Sequence, residues 1–353
     1  MGETETTAAR AKAEPLPDNI RSVQPGGGKC YQVELAWGRW RRWVLKTFRP
    51  NYVERMRRLR EGDTDGCPHE VLDPRDLKFC RNQCTAFWPT EHDRFRWRER
   101  IPFARWGLAE LLMMGLPLLG ATIAAAMLPG YWALGAVTPG VFLLLIVSFF
   151  RDPQREIPQT PGLWVSPADG KLVEITHLEH DDFLGGPAVR LGIFLSIFNV
   201  HINRTPVRAR VIKLAYHPGE FLNAMNPVSA ERNESMWIGF EEDQPPYRRF
   251  IVRQISGLIA RRIVCDLRPG EVLERGQRFG MIKLGSRTEL IVPAEGFQVQ
   301  AALGAMLQAG SSVVGRDQPL PRAAPANQAS GSALADRRPP TADSSPSPRQ
   351  ERA

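Results

Sequence analysis

The amino-acid sequence predicts a mainly β domain preceded by an α-helical membrane hairpin. Two apolar runs, residues 107–128 and 131–150, lie next to each other and are each long enough to cross a hydrocarbon core of about 30 Å. After Pro158 the chain changes to short alternating or apolar runs broken by Gly and Pro, which is typical of strands at short spacing. The stretch before the hairpin, residues 30–105, is a basic extension rich in Arg and Trp.

The length and charge of the chain limit the classes of partner. With 353 residues it can form one sizeable core with extensions, or two modest domains. A formal net charge of +8 favours an acidic partner, which either nucleic acid or an anionic lipid surface could supply. Since the basic clusters lie directly before the apolar runs, we expect a lipid surface and no nucleic-acid partner. Five cysteines, an odd number without an apolar signal peptide, favour a reducing compartment over a disulfide framework.

Both ends of the chain lack hydrophobic periodicity. Residues 1–29 mix Glu, Thr, Ala, Pro and Gly, and residues 315–353 are rich in Pro, Ala, Ser and Arg. Segments of this composition cannot bury enough apolar surface to offset the entropy of ordering. We therefore expect both ends to be disordered.

The basic extension contains one stretch with helical periodicity, residues 37–48. In this helix Trp40, Trp43, Val44 and Thr47 fall on one face. The helix could lie along a membrane surface, with its aromatic rings among the lipid headgroups. Alternatively, it belongs to a small helical subdomain with Trp in its core.

The same extension contains four candidate metal ligands, Cys67, His69, Cys80 and Cys84. Thiolates and imidazoles are ligands that zinc prefers. The spacing is C-x-H on one side and C-x3-C on the other, whereas a paired C-x2-C on each side is typical of zinc sites. We therefore expect unligated structural cysteines and no metal, with these four residues as the zinc candidates.

The charges beside the apolar runs predict the orientation of the hairpin, residues 106–150. Pro129 and Gly130 form its turn, and the external loop carries no charge. Arginines flank both runs and, by the positive-inside tendency, place both flanks on the cytoplasmic side of the cell membrane. These arginines are Arg98, Arg100, Arg105, Arg151 and Arg155. A buried helical pair in a soluble core is the alternative.

Three motifs supply an acid, a base and a hydroxyl nucleophile. Asp169 lies in Ser-Pro-Ala-Asp-Gly-Lys, His201 in an apolar run that ends Val-His-Ile-Asn-Arg, and Ser286 follows Gly285 in Lys-Leu-Gly-Ser-Arg. An imidazole held by a carboxylate is the common way to activate a serine hydroxyl. A hydrolase is not favoured, because no G-x-S-x-G elbow surrounds Ser286. Taken singly, each residue also has a structural interpretation in a turn or a core.

Residues 149–158 and 216–221 add two further motifs to these three. All five occur in the order found in the phosphatidylserine decarboxylase proenzymes, which the chain resembles over about residues 147–305. It resembles in particular the branch whose last motif ends Gly-Ser. The resemblance implies a catalytic domain over residues 151–314. Residues 268–280 resemble the hairpin of lipoyl and biotinyl carrier domains. No Lys stands at the turn of that hairpin, so carrier function is disfavoured.

The resemblance also implies the chemistry. Ser286 attacks the carbonyl of Gly285 with His201 as base and Asp169 orienting it, and the chain is cut between Gly285 and Ser286. Ser286 becomes a covalent pyruvoyl group, a cofactor that accepts the electrons left when CO2 departs. The two cleavage products form a heterodimer that converts phosphatidylserine in the bilayer to phosphatidylethanolamine and CO2. Some members of the family have a second histidine three residues before the catalytic one, and here that position is Phe198.

Two further expectations concern substrate and assembly. Arg151 and Arg155 emerge directly from the second apolar run, where guanidinium groups can bind the lipid phosphate. Their alternative role is only to orient the hairpin. The oligomeric state is left open. The competing functions are a pyruvoyl-dependent decarboxylase of a soluble amino acid and a catalytically inactive membrane scaffold.

Overall fold

The structure is a computed structural model that describes residues 10–222, 229–258, 262–283 and 285–318. The predicted disorder of residues 1–9 and 319–353 lies outside the described residues.

Five α-helices lie within the described residues. They are α1 Lys29–Phe48, α2 Pro50–Arg58, α3 Leu108–Ala126, α4 Val137–Phe149 and α5 Ser229–Arg232. Pro50 occupies the first turn of α2, where its missing N–H would have no helical partner in any case. Short 3-10 turns at Arg105–Gly107 and Gly130–Ala136 lead into α3 and α4.

The chain after residue 162 is built almost entirely of strands, which confirms the predicted mainly β class. The strands are β1 Leu163–Val165, β2 Gly170–Asp181, β3 Gly186–Leu195, β4 Ile202–Arg204, β5 Ala209–His217, β6 Ser235–Glu242, β7 Arg249–Ser256, β8 Arg262–Cys265, β9 Val272–Leu273, β10 Arg278–Lys283, β11 Ser286–Pro293, β12 Phe297–Val299, β13 Met306–Leu307 and β14 Val313–Asp317.

Three antiparallel sheets form from these strands. The largest has eight strands in the order β13-β2-β3-β11-β7-β6-β5-β9 and curls into a half-barrel. Two smaller sheets have the orders β4-β10-β8 and β1-β14-β12. The main core fills the inner face of the half-barrel, where the rings of Trp164 and Phe250 meet edge to face at a centroid distance of 4.9 Å.

The expectation of disorder fails for residues 10–28. This segment lies extended on the β domain, and the side chains of Ile20 and Val23 are buried. The Val23 carbonyl accepts the backbone N–H of Cys265 at 2.8 Å, and the Val23 N–H donates to Phe79 at 3.0 Å. A segment without periodicity of its own is ordered here because a sheet edge and a core built by distant residues supply its partners.

The carboxyl-terminal boundary of the β domain also differs from the expectation. The catalytic domain was expected to end at residue 314, but β14 continues to Asp317 and pairs with both β1 and β12. Asp317 accepts a hydrogen bond from the indole N–H of Trp164 at 2.7 Å. Polar residues at the end of this strand therefore hold the largest aromatic ring of the core.

Ion pairs within the basic extension fix the position of its first helix, α1. Arg41 and Arg42 of α1 form ion pairs with the buried carboxylates of Asp73 and Asp76, at 2.8 and 3.0 Å respectively. These contacts fix one face of α1. On its other faces Trp37, Trp40 and Trp43 are 61%, 52% and 56% exposed, so these rings do not form the core of a helical subdomain.

The two apolar segments form a helical pair. The spans Arg105–Ala126 and Gly130–Phe149 are long and apolar enough to cross a membrane, and only 6% of each is buried. A helical pair inside a soluble core would be mostly buried, so that alternative does not hold. The hairpin is therefore compatible with membrane association.

Replacing Ile20 tests whether the amino-terminal segment belongs to the core. Truncating a buried isoleucine to alanine removes about 2–5 kcal/mol of unfolding free energy, because the cavity is only partly refilled. We expect Ile20→Ala to lower the Tm of the full-length protein by several degrees, measured by scanning fluorimetry in detergent micelles. Lys12→Ala, at an exposed position of the same segment, is the control and should leave the Tm unchanged. Equal Tm values for both variants would contradict the assignment.

Candidate active site

Ser286 lies at the start of β11, in the middle of the half-barrel. It faces Leu195 of β3 on one side and Ser256 of β7 on the other. The side chains of Ser286, Thr288 and Leu290 point to the same side of the strand, toward the main core. The Oγ of Ser286 is buried and has no hydrogen-bond partner among the described residues. A buried, unpaired hydroxyl costs free energy, and Ser286 shares this feature with Ser256 on the neighbouring strand, so the function of Ser286 has to be argued from its other neighbours.

Gly285 gives the chain a sharp turn before Ser286. Its φ of +63° lies in the left-handed region, which glycine adopts without the penalty of a Cβ atom. Space is not the constraint, because a Cβ at Gly285 would meet nothing within 4 Å. The backbone conformation itself therefore requires glycine next to Ser286.

His201 is placed against the same peptide. Its Nε2 accepts the backbone N–H of Gly285 at 3.3 Å, and its Nδ1 lies 2.9 Å from the carbonyl oxygen of Asn199. A carbonyl oxygen can only accept, so Nδ1 carries the proton and Nε2 has the lone pair. The ring packs against Phe149 of α4, with 4.4 Å between the ring centroids.

The surroundings of His201 keep it neutral. Burial lowers the pKa of the imidazole to about 4, and the positive charge of Arg151 acts in the same direction. At neutral pH the ring is therefore uncharged, and the Nε2 lone pair that accepts the Gly285 N–H is the position where a proton would bind. This is the state that a general base requires.

Asp169 lies elsewhere in the site than the sequence predicts. Its carboxylate accepts the backbone N–H of Ala309 at 2.8 Å and the guanidinium of Arg155 at 2.7 Å. Burial raises the pKa of Asp169, although these two partners oppose the shift. Within the described ranges no hydrogen bond joins Asp169 to His201. The structure thus brings His201 to the Gly285–Ser286 peptide and holds Asp169 on Arg155.

Arg151 and Arg155 both follow the second apolar helix, but their guanidinium groups bind different partners. Arg151 donates to the carbonyl and hydroxyl of Ser148 at 2.6 and 2.7 Å, which satisfies the end of α4, and to the carbonyl of Phe198 at 2.8 Å. It remains partly exposed. Arg155 is almost buried in its ion pair with Asp169. Arg155 nevertheless lines a cavity of about 590 Å³, so a ligand can approach either arginine.

Sequence reasoning missed an ion pair that joins the hairpin to the site. The ammonium group of Lys283, two residues before Gly285, is buried and donates to the carboxylate of Glu110 on α3 and to Gln24. Glu110 is the one acidic residue in the first turn of this apolar helix. The signal was present in the sequence, because a lone carboxylate in an apolar helix calls for a buried cation.

A cavity of about 600 Å³ lies beside this ion pair. One wall is apolar and comes from the hairpin: Met114, Phe142, Leu145, Ile146 and Phe149. The other side is polar and carries three cationic side chains and one carboxylate: Lys29, Arg262, Lys283 and Glu110. Phe149 is shared by the cavity and the site, because its ring lines the cavity and also contacts the ring of His201. Its composition suits a ligand with an apolar tail and an anionic head.

The structure brings three of the four zinc candidates together. The sulfur atoms of Cys67, Cys80 and Cys84 lie within 4.8 Å of one another. His69 is outside this cluster. Its Nδ1 is buried and lacks a hydrogen-bond partner within the part of the chain that the structure describes.

Fold and site together define an enzyme of the mainly β class, with a buried serine and a neutral histidine at its centre and an apolar helical pair beside it. The family model described as Phosphatidylserine decarboxylase matches residues 142–315. The phosphatidylserine decarboxylase proenzyme of Rhodopirellula baltica is 47% identical over 244 residues, 69% of this chain and 99% of that protein. The chain therefore belongs to the phosphatidylserine decarboxylase family, which confirms the resemblance seen in the motifs.

Two further relatives are similar to this chain over most of their own length. The proenzyme of Symbiobacterium thermophilum is 45% identical over 204 residues, 57% of this chain and 93% of that protein. The proenzyme of Carboxydothermus hydrogenoformans is 40% identical over 220 residues, 62% of this chain and 98% of that protein. All three carry the name phosphatidylserine decarboxylase proenzyme.

The protonation of His201 can be measured directly. In the folded protein the pKa is about 4, whereas an unfolded imidazole titrates near about 6.5. The ring carbon resonance of His201 is assigned by its loss in the His201→Gln variant. In the folded protein we expect its chemical shift to stay constant from neutral pH to about pH 5. In denaturant the same resonance should titrate at about pH 6.5. The unfolded state then binds more protons below that pH, so the unfolding free energy should fall as the pH falls. A folded-state titration near about pH 6.5 would contradict the assignment.

Proposed function

We propose that this chain is the proenzyme of a self-processing, pyruvoyl-dependent decarboxylase that converts phosphatidylserine to phosphatidylethanolamine and CO2. Cleavage falls between Gly285 and Ser286. The observation that carries the proposal is the contact of the neutral His201 Nε2 with the Gly285 N–H at 3.3 Å, next to the buried and unpaired hydroxyl of Ser286. Membership of the family and the names of the relatives support the same reaction.

The cleavage step uses only groups of this chain. The Oγ of Ser286 attacks the carbonyl carbon of Gly285 while His201 Nε2 accepts the hydroxyl proton. The C–N bond then breaks, the nitrogen of Ser286 takes up a proton, and an ester joins the two pieces. Loss of the α-proton of Ser286 expels the carboxylate of Gly285, and water converts the dehydroalanine that remains to a pyruvoyl group and ammonia. In this step the left-handed turn at Gly285 presents the carbonyl to the hydroxyl.

The residues present fit a pyruvoyl group at position 286. The side-chain oxygen is buried without a partner, so a ketone there breaks no hydrogen bond. A pyruvoyl group would supply an electron-withdrawing carbonyl for a primary amine. The strand β11 holds this position between β3 and β7, and His201 keeps a proton-accepting nitrogen beside it. The chain therefore provides a fixed, dry position for the group.

The cavity beside the Lys283–Glu110 pair is proposed as the lipid site. Phosphatidylserine has acyl chains, a phosphodiester and a serine head. The apolar wall contributed by α3 and α4 suits an acyl chain, and the excess of cations on the other side suits the anionic head. A decarboxylase of a soluble amino acid would gain nothing from the apolar wall. An inactive scaffold would have no use for an unpaired buried hydroxyl beside a neutral imidazole.

The hairpin is proposed to span the cell membrane, with the β domain on the cytoplasmic side. Almost no side chain of the two apolar spans is buried in the protein, and arginines stand at both ends that face the β domain. The exposed tryptophans of α1 support a position at the lipid surface, because indole rings favour the headgroup region. The cavity beside the Lys283–Glu110 pair then opens beside the bilayer that holds the proposed substrate.

Intact mass of the purified protein tests the cleavage. Wild type should appear as two pieces, residues 1–285 and 286–353, and the second should begin with a pyruvoyl group. Ser286→Ala should stay uncut because it lacks the attacking oxygen, and His201→Ala should be uncut or very slow. Ser256→Ala is the matched control, since it removes a buried serine hydroxyl from the strand position opposite Ser286 and should be cut normally. Normal cutting of Ser286→Ala would refute the mechanism.

Separate glutamine variants distinguish a phosphate ligand, proposed for Arg151, from a structural ion pair, proposed for Arg155. We expect Arg151→Gln to raise the Michaelis constant for phosphatidylserine by about tenfold or more, because a charge-assisted hydrogen bond is lost. Its self-cleavage should continue. Arg155→Gln removes the ion pair of Asp169 and should slow self-cleavage, measured as the fraction of uncut chain. An unchanged Michaelis constant in correctly inserted Arg151→Gln protein would eliminate Arg151 as a phosphate ligand.

A further inference from the structure

Three cysteine side chains of the basic extension converge on one point. The sulfur of Cys67 lies 2.7 Å from that of Cys80 and 3.0 Å from that of Cys84. Cys30 and Cys265 are free cysteines outside this group. Two sulfurs in contact are enough for a disulfide, and the third sulfur then has no role. Three mutually adjacent sulfurs are the arrangement of a metal site.

The backbone around the cluster is shaped to bring two loops together. Residues 61 and 87 form an isolated β-bridge, and the N–H of Thr85 donates to the carbonyl of Asp63 at 3.0 Å. Gly66, directly before Cys67, has a φ of +89°, and a Cβ there would lie 2.4 Å from the carbonyl oxygen of Gln83. Only glycine permits this approach. The loop that carries Cys67 is thus pressed onto the loop that carries Cys84.

The segment around the cluster has little regular secondary structure. Between residues 61 and 103 the structure has 3-10 turns and isolated bridges, but neither an α-helix nor a paired strand. The apolar cluster nearest the sulfurs is small and consists of Met56, Val71, Cys80 and Trp88. A module of this kind is commonly stabilised by a bound metal or a disulfide.

We propose that Cys67, Cys80 and Cys84 bind one Zn²⁺ ion as three thiolates. Zn²⁺ displaces the thiol protons, and the bound ion offsets most of the negative charge that three thiolates would place in a partly buried cluster. The proposal rests on the three sulfurs. His69 has a buried Nδ1 without a partner in the described chain, but its ring nitrogens lie outside the sulfur cluster.

The position of the cluster indicates a structural role for the zinc. Arg81, next to Cys80, forms ion pairs with Asp266 and Glu271, and Arg268 donates to the carbonyl of Cys84 at 2.7 Å. These acceptors and donors belong to the loop between β8 and β9. The same stretch continues through β10 to Lys283 and the cleavage turn. The segment that carries the three cysteines therefore stabilises residues 266–283, which lead to Ser286. The cysteines themselves do not contact Ser286 or His201 among the contacts described.

The test uses the full-length, tag-free protein purified in detergent without chelators. We expect about one zinc per chain by elemental mass spectrometry, a stoichiometry typical of a structural site. Replacement by Co²⁺ should give intense near-ultraviolet thiolate-to-cobalt bands and the visible bands of tetrahedral cobalt. Cys80→Ser should lose the zinc, whereas Cys30→Ser, which alters a cysteine outside the cluster, should keep it. Removal of the metal should also lower the Tm.

Two results would overturn the proposal. One is wild-type protein without zinc after expression in zinc-supplemented medium. The other is an intact mass that shows a disulfide among these cysteines. If Cys80→Ser does not fold, the zinc content and cobalt spectrum of the wild type still decide the matter. Self-cleavage measured on the same samples separates this test from the proposed enzymatic function, since each can fail without the other.

Discussion

The buried ion pair between Lys283 and Glu110 sets the relation between the apolar hairpin and the β domain. Lys283 ends β10 two residues before Gly285, and Glu110 lies in the first turn of α3. Breaking a buried pair leaves an uncompensated charge, which costs several kcal/mol, roughly 3–5. The hairpin therefore cannot move away from the turn at Gly285 without that cost. The apolar wall of the cavity and the Gly285–Ser286 peptide thus keep one relative position.

The position of Ser286 depends in turn on strand register. β11 is paired on both sides, and a shift of one residue would turn Ser286 to the outer face and bring Arg287 into the core. The outer face resists such a shift, because Arg287 forms ion pairs with Glu174 on β2 and with Glu289 on its own strand. On the inner face, Thr288 accepts a hydrogen bond from Asn203 at 3.0 Å. Polar contacts on both faces thus fix one register.

Features with a local pattern were predictable from the sequence. The hairpin, the strand-rich region and the Gly285–Ser286 motif each depend on residues close together in the chain. Long-range features were not. The order of residues 10–28 comes from a core built after residue 160, and the partner of Lys283 lies 173 positions away. The cysteine cluster was obscured because its spacing is not a paired C-x2-C. Asp169 was expected on His201, but the sequence holds no signal that Arg155 pairs with it instead.

The membrane hairpin also contributes to the chemistry of the site through Phe149. This ring ends α4, packs on His201 and lines the cavity proposed for the lipid. The low pKa of His201 arises first from burial, and Phe149 covers part of the imidazole, so a hairpin pulled away from the β domain would let water reach the ring. Hydration would return the pKa toward its ordinary value of about 6.5, so that the base would become protonated in mildly acidic solution, where the buried ring stays neutral. In this arrangement the two apolar helices, which are compatible with membrane association, also keep His201 neutral, so docking of the hairpin is coupled to the reactivity proposed for the Gly285–Ser286 peptide.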